Sequence, residues 1–164
     1  MSASVTAYIG LGSNLDGPQK QIKSAVASLA RIEGVVQVAC SQLYRSPPMG
    51  PQDQPEYVNA VAAVESGLSA LELFHETQNI EKQQGRVREG QRWGPRNIDL
   101  DLLLFGSQSV SLPGLKIPHY GIAERAFVLV PLAELAGQFE VPGLGTVESL
   151  LGQLDCTSIV PYTT

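Results

Sequence analysis

Apolar and polar residues alternate from residue 5 to residue 11: Val5, Ala7, Ile9 and Leu11 share one side, and Thr6, Tyr8 and Gly10 the other. That period of two predicts a β-strand. The run GSNLDGP then breaks it, and GLGSN over residues 10–14, which lacks the G-K-[ST] of a phosphate loop, reads as a strand-ending turn. Over residues 19–32 the period changes: Ile22, Ala25, Val26, Leu29 and Ile32 recur at helical spacing, and Gly34 lies just past them. Residues 35–44 predict a second strand. Residues 45–56 hold four prolines and Gly50, which excludes a regular element and predicts a long loop. A third strand is expected over residues 57–65. Ser69 and Glu72 then have capping-box spacing. The helix they open is predicted to reach about residue 84, with Leu73, Phe74, Thr77 and Ile80 inward and Gly85 as its stop. Gly90, Gly94 and Pro95 break up residues 86–96; residues 97–105 predict a fourth strand, and 106–112 an arm turning back. Residues 122–136 read as helix interrupted at Pro131, and a short helix starts near Val147. This order of elements predicts an α+β sheet with helices packed against it.

The fourth strand carries the first chemical signal. Alternation puts Ile98, Leu100, Leu102 and Leu104 on one face, and Asp99, Asp101, Leu103 and Phe105 on the other. Two carboxylates at i and i+2 stand ~7 Å apart by Cα and point into one space. In apolar surroundings they would repel, and each would cost free energy to desolvate. A cation beside them removes both costs, and hard carboxylate oxygens suit Mg²⁺. Two exposed acids on a solvated strand face are the plain alternative. The segment just before them tips the balance, because four of the seven arginines, Arg86, Arg88, Arg92 and Arg96, lie within it. Carboxylates for a metal next to clustered guanidinium groups are what a polyphosphate site needs.

Charge and composition narrow the class further. The chain has 164 residues, 43% hydrophobic and 16% charged, with a formal net charge of -5. That is one domain's worth of chain with a real core. The acidic balance speaks against a nucleic-acid partner. No apolar run has the ~18 residues of a spanning helix, and the first residues lack the pattern of a signal peptide. Cys40 and Cys156 read as free thiols of a reducing compartment. His119 and Tyr120 in IPHY, and Tyr57 with Asn59 on one strand face, are further candidates. An asparagine amide offers paired donor and acceptor functions to a heteroaromatic edge. His75 lacks partners and reads as structural.

Together, YIGLGSN, YRSPPMGPQDQPEYVN, IEKQQGRVR, RWGPRNIDLDLLLFG and IPHYGIAERAFVLVPLAE resemble the 6-hydroxymethyl-7,8-dihydropterin pyrophosphokinases of folate biosynthesis. The resemblance covers nearly the whole chain. It implies a ferredoxin-like α+β fold with an antiparallel sheet, and a single pyrophosphokinase domain over residues 1–164. It implies an enzyme that transfers pyrophosphate from ATP to the pterin hydroxymethyl group and releases AMP. Asp99 and Asp101 are then the ligands of two Mg²⁺ ions, and Arg86 and Arg96 the arginines at the triphosphate. Arg88, Arg92 and Trp93 fall on a mobile catalytic loop. Gln78, Glu81, His119, Tyr120 and Arg125 match positions around the nucleotide. The pterin would lie between Tyr57 and Phe127, bonded by Asn59 and by the backbone of Ser46 and Met49, with Pro47 and Gly50 shaping the wall and Trp93 and Asp99 beside it. The resemblance further implies a cytoplasmic monomer whose partners are small molecules, with neither nucleic acid nor membrane. The chain departs from the family pattern at Glu89, Gly90 and Gln91, and at Ser46, where threonine is familiar. Two other readings stay open: a catalytically silent module that binds a nucleotide, and a nucleotidyltransferase using the same metals. The intact D-x-D pair, Arg86, Arg96 and Asn59 speak against the first, and the nucleotide product separates all three.

Overall fold

The computed structural model describes residues 4–13, 17–46, 57–86 and 98–162, with the backbone alone for 85 and 86. Ten strands and four α-helices are described: β1 (Val5–Ser13), α1 (Pro18–Ala30), β2 (Val35–Cys40), β3 (Tyr44–Ser46), β4 (Tyr57–Ser66), α2 (Ala70–Glu81), β5 (Asp99–Phe105), β6 (Val110–Leu112), β7 (Leu115–Ile117), α3 (Ala126–Ala136), β8 (Glu140–Val141), β9 (Gly145–Thr146), α4 (Val147–Leu151) and β10 (Val160–Pro161). The main sheet runs β10-β3-β4-β1-β5, with β2 also on β4, and every pairing in it is antiparallel.

Both faces of this sheet are covered, as the alternation along β1 and β4 requires. Ala7, Ile9, Leu11, Val58, Ala60, Ala62 and Val64 meet Ile22, Ala25 and Leu29 of α1 and Leu73 and Ile80 of α2. On the other face Tyr8, Val61 and Leu103 meet Val128, Leu129 and Leu132 of α3 and Val147 and Leu150 of α4. The capping box at α2 is complete: Ser69 Oγ accepts from Glu72 N–H, and the Glu72 carboxylate accepts from Ser69 N–H.

Several boundaries differ from the sequence reading, each for a local reason. The predicted second strand is two. β2 stops at Cys40, β3 starts at Tyr44, and both use the same edge of β4. Between them the buried Ser41 completes the ladder itself: its N–H donates to Val61 O at 2.9 Å, and its hydroxyl accepts from Val61 N–H at 3.0 Å. No backbone group of Val61 is orphaned by the break. β1 does not end in a turn after Leu11 but continues through Gly12 and Ser13. The α form of the second helix ends at Glu81, and Lys82–Arg86 continues it as a π-turn through Gly85, which is not a stop. The arm after Gly106 pairs as β6 with β7, in a separate small sheet, rather than with β5. The break in the 122–136 helix falls at Arg125, which is extended (φ -115, ψ 99), after a turn of 3-10 helix over Ile122–Glu124. Pro131 sits inside α3, which runs on past it although the Phe127 carbonyl lacks the N–H it would otherwise accept.

The largest departure is in β5. Ile9 pairs Leu102 and Tyr8 pairs Leu104, so Leu103 is an extra residue, a β-bulge. From there the faces exchange. Leu104 joins Leu103 in the α3 core, and Phe105 joins Leu100 and Leu102 in the α1–α2 core, opposite to the strict alternation expected. Asp99 and Asp101 precede the bulge and keep the predicted common face.

Candidate functional site

A cavity of about 190 Å³ opens over the α3-side face of the sheet. Its floor follows from register. Asn59 of β4 and Asp99 of β5 both lie opposite Gly12 of β1, and Asp101 lies opposite Gly10. β4 therefore does not adjoin the aspartate strand; β1 lies between them, and its two glycines leave the space above it open. A Cβ on Gly12 would stand 2.9 Å from Asn59 Nδ2, so that position tolerates no side chain without displacing the amide. Sequence reading took GLGSN for a turn and missed these glycines. The available signal was their spacing, because positions 10 and 12 continue the alternation of Thr6 and Tyr8.

The walls are Ser46, Tyr57, Arg125, Phe127 and Val128, and Asp99 and Asp101 close the far side. The structure thus brings Ser46, Tyr57, Asn59, Phe127, Asp99, Asp101 and Arg125 to one space. Asn59 is buried, and its Oδ1 accepts from the Ser46 hydroxyl at 2.8 Å. Burial pushes the Tyr57 phenol above its ordinary pKa, and the negative charge of Asp99 adds to the shift. The Arg125 guanidinium lies 5.9 Å from the Phe127 ring centroid and 5.4 Å from that of Tyr120. Gly121 makes room for it: a Cβ there would meet Arg125 Nε at 2.6 Å.

His119 is placed by the bulge. The Leu103 carbonyl, skipped by β1, accepts from His119 N–H at 3.0 Å. The His119 ring stacks on Tyr120 at 4.6 Å between centroids, and its Nδ1 accepts from Gly121 N–H at 3.1 Å. Nδ1 is then the acceptor, and Nε2–H is left as the donor. Burial holds the imidazole below the usual histidine range; Asp101 pulls the other way, and Arg125 adds to the depression. Tyr120 is exposed. Gln78 is half-buried on α2, and Glu81 is buried at its end, where its carboxylate accepts from Leu100 N–H at 2.8 Å. Glu81 thus holds the sheet's edge strand by the amide between the two aspartates. Arg88, Arg92, Trp93, Arg96, Pro47, Met49 and Gly50 lie outside the described residues, as does the Arg86 side chain. His75 is exposed on α2, and Cys40 and Cys156 are free. Among the described residues no group of three or more His, Cys, Asp or Glu side chains gathers to hold a metal. Two hard carboxylates facing one cavity still suit a cation that completes its shell from a ligand's oxygens.

An antiparallel α+β sheet carrying two aromatic rings, a buried amide and a carboxylate pair around one cavity has the chemistry to take a planar polar molecule and a cation side by side. The family model described as 7,8-dihydro-6-hydroxymethylpterin-pyrophosphokinase (HPPK) matches residues 8–137, and the chain belongs to that family. It is 46% identical over 149 residues to the 2-amino-4-hydroxy-6-hydroxymethyldihydropteridine pyrophosphokinase of Haemophilus influenzae, covering 91% of this chain and 92% of that one. To the protein of the same name from Pseudomonas aeruginosa it is 52% identical over 135 residues, covering 82% of this chain and 83% of that one. Among solved structures, the fold matches Plasmodium falciparum HPPK-DHPS wild type with pteroate at a TM-score of 0.71 and 14% identity. That match covers 92% of this chain and 42% of the Plasmodium chain, so the chain spans less than half of that protein.

Proposed function

We infer that the protein transfers the pyrophosphoryl group of ATP to the hydroxymethyl group of 6-hydroxymethyl-7,8-dihydropterin, a step of folate biosynthesis, and releases AMP. The observation that carries this reading is one cavity that holds Asn59 and both β5 aspartates, separated only by side-chain-free Gly10 and Gly12. Acceptor and phosphate chain then share one enclosure. The pterin ring fits between Tyr57 and Phe127, with Asn59 on its polar edge and the backbone of Ser46 and Met49, Pro47 and Gly50 completing that side. Asp99 and Asp101 would hold two Mg²⁺ ions, which when bound neutralise phosphate oxygens on both sides of the transferred group.

The chain's own groups do the rest. Tyr57 offers its phenol O–H, and burial and then the charge of Asp99 disfavour its phenolate further. His119 offers Nε2–H, and Arg125 brings a fixed positive charge to the cavity wall. Gln78, Glu81 and Tyr120 attend the nucleotide, and Arg86 and Arg96 meet the charge that shifts along the phosphates. Arg88, Arg92 and Trp93 cover the site. The reading takes residues 1–164 as one domain acting as a cytoplasmic monomer without nucleic-acid or membrane partners. Among the described residues no helix is long and apolar enough to cross a membrane.

The test is incubation with ATP, Mg²⁺ and the reduced pterin, with chromatography of the nucleotides. AMP with a pterin diphosphate is expected. ADP as the first product overturns the reading. Free pyrophosphate with a pterin–AMP adduct would mark nucleotidyl transfer, and no pterin-dependent turnover would mark a silent module.

A further inference from the structure

Asn59 is one of seven buried polar or charged side chains among the described residues, and one of its amide atoms is already committed before any ligand arrives. The Ser46 hydroxyl, 4% exposed, donates to Asn59 Oδ1 at 2.8 Å. The two residues come from neighbouring strands, β3 and β4, where Ser46 pairs Tyr57 and Tyr44 pairs Asn59, so the contact is a diagonal one within a fixed register. The other end of the amide, Nδ2, lies over Gly12, close enough that a single methyl there would collide with it. A hydroxyl both donates and accepts, so this contact fixes where the amide stands rather than telling its two ends apart. It holds the amide beside the open glycine floor.

We propose that the Ser46 hydroxyl is a positioning group that holds the Asn59 amide in its place over Gly12, where the pocket presents an N–H donor. The ligand edge meeting that point is an acceptor, a ring nitrogen or a carbonyl oxygen. A second lone pair of Oδ1 stays available for a ligand N–H beside it. The proposal rests on the pterin reading of this pocket and deepens it, because it assigns a specificity role to a side chain whose backbone alone that reading used. In the absence of the hydroxyl, Oδ1 loses this partner in a buried site, and the amide is no longer held in place for the ligand.

The experiment is calorimetry of the full chain with 6-hydroxymethyl-7,8-dihydropterin in the presence of a non-hydrolysable ATP analogue and Mg²⁺. It is run for wild type, Ser46→Ala, Ser46→Thr and Ser46→Cys, with the ATP analogue alone titrated in parallel. Ser46→Ala is expected to weaken pterin binding about tenfold, the scale of one lost buried hydrogen bond. Its ATP-analogue affinity should not change, and Ser46→Thr, which keeps the hydroxyl, should restore pterin binding. Ser46→Cys keeps the volume with a weaker donor and covers the case in which Ser46→Ala does not fold; it is expected to bind pterin more weakly than wild type. In ¹⁵N spectra the Asn59 side-chain amide resonances should move in Ser46→Ala and return in Ser46→Thr. Wild-type pterin affinity in Ser46→Ala or in Ser46→Cys overturns the proposal, as does equal loss of ATP-analogue binding or failure of threonine to rescue. Absence of pterin binding by the wild type would instead overturn the reading of the pocket.

Discussion

At the scale of single residues, the site depends as much on what is missing as on what is present. Gly12 has no positive φ to explain it, so its reason is space. Gly12→Ala should fold and melt close to wild type, because alanine adopts strand dihedrals without strain. Its Cβ, 2.9 Å from Asn59 Nδ2, should displace the amide and weaken pterin binding by about 1–3 kcal/mol, the range for unpairing a buried polar group. Calorimetry checks this: an unchanged pterin affinity would mean that the amide is not where the ligand sits. Asp99 and Asp101 permit a complementary test. Both are only half-buried, so Asp99→Ala and Asp101→Ala should leave the melting temperature nearly intact. Turnover should fall by about 100-fold or more, the scale of losing an electrostatic clamp on a transferred group. A variant that keeps near-normal Mg²⁺-dependent turnover removes that aspartate from the metal site.

At the scale of elements, the clamp between α3 and β3 holds one wall of the cavity in place. Glu134 of α3 accepts from the Tyr44 hydroxyl at 2.7 Å and from Gln42 N–H at 3.0 Å. Burial, then the hydrogen bond and the charge of Glu134, push the Tyr44 phenol up to about 12. A folded-state pKa above the unfolded one stabilises the protein fully below pH 10, and that contribution is lost as pH rises through about 12. In a spectrophotometric titration Tyr44 should ionise late, and Glu134→Ala should bring it back toward 10. A profile identical in the two proteins would mean that the clamp is not formed in solution. Much at this scale was legible in the sequence: the alternation of β1 and β4, the spacing of α1, the capping box of α2 and the shared face of Asp99 and Asp101 all rest on contacts within a few residues. What was not legible depends on a partner far along the chain. Nothing local in DLDLLLF marks Leu103 as the bulge, because the slip exists only against Tyr8 and Ile9. Nothing in CSQLY says that the hydroxyl of Ser41 will stand in for a strand residue opposite Val61. The same holds within the site. Tyr57 and Asn59 were singled out by alternation, and Phe127 and Arg125 by the resemblance, whereas the Ser46 hydroxyl and the glycine floor became visible only once the register of β1, β3, β4 and β5 was known.

For the whole molecule, one sheet serves two cores. Leu29 of α1 and Leu129 of α3 are each fully buried, on opposite faces. Leu29→Ala and Leu129→Ala should each destabilise by about 2–5 kcal/mol. Because both cores share β1, β4 and β5, urea unfolding should remain a single transition in each variant, with far-UV circular dichroism and tyrosine fluorescence coincident. Two separate transitions would show that the faces fold as independent units. The Ser41 break has a consequence in another dimension, that of sequence change over time. Because β2 and β3 divide the edge of β4 between them, the β2 ladder from Val35 to Cys40 keeps its own register whatever the chain does between residues 46 and 57. A change of length there has no need to shift β2, so descent can rework that stretch of chain while the β2 ladder on β4 is inherited unaltered.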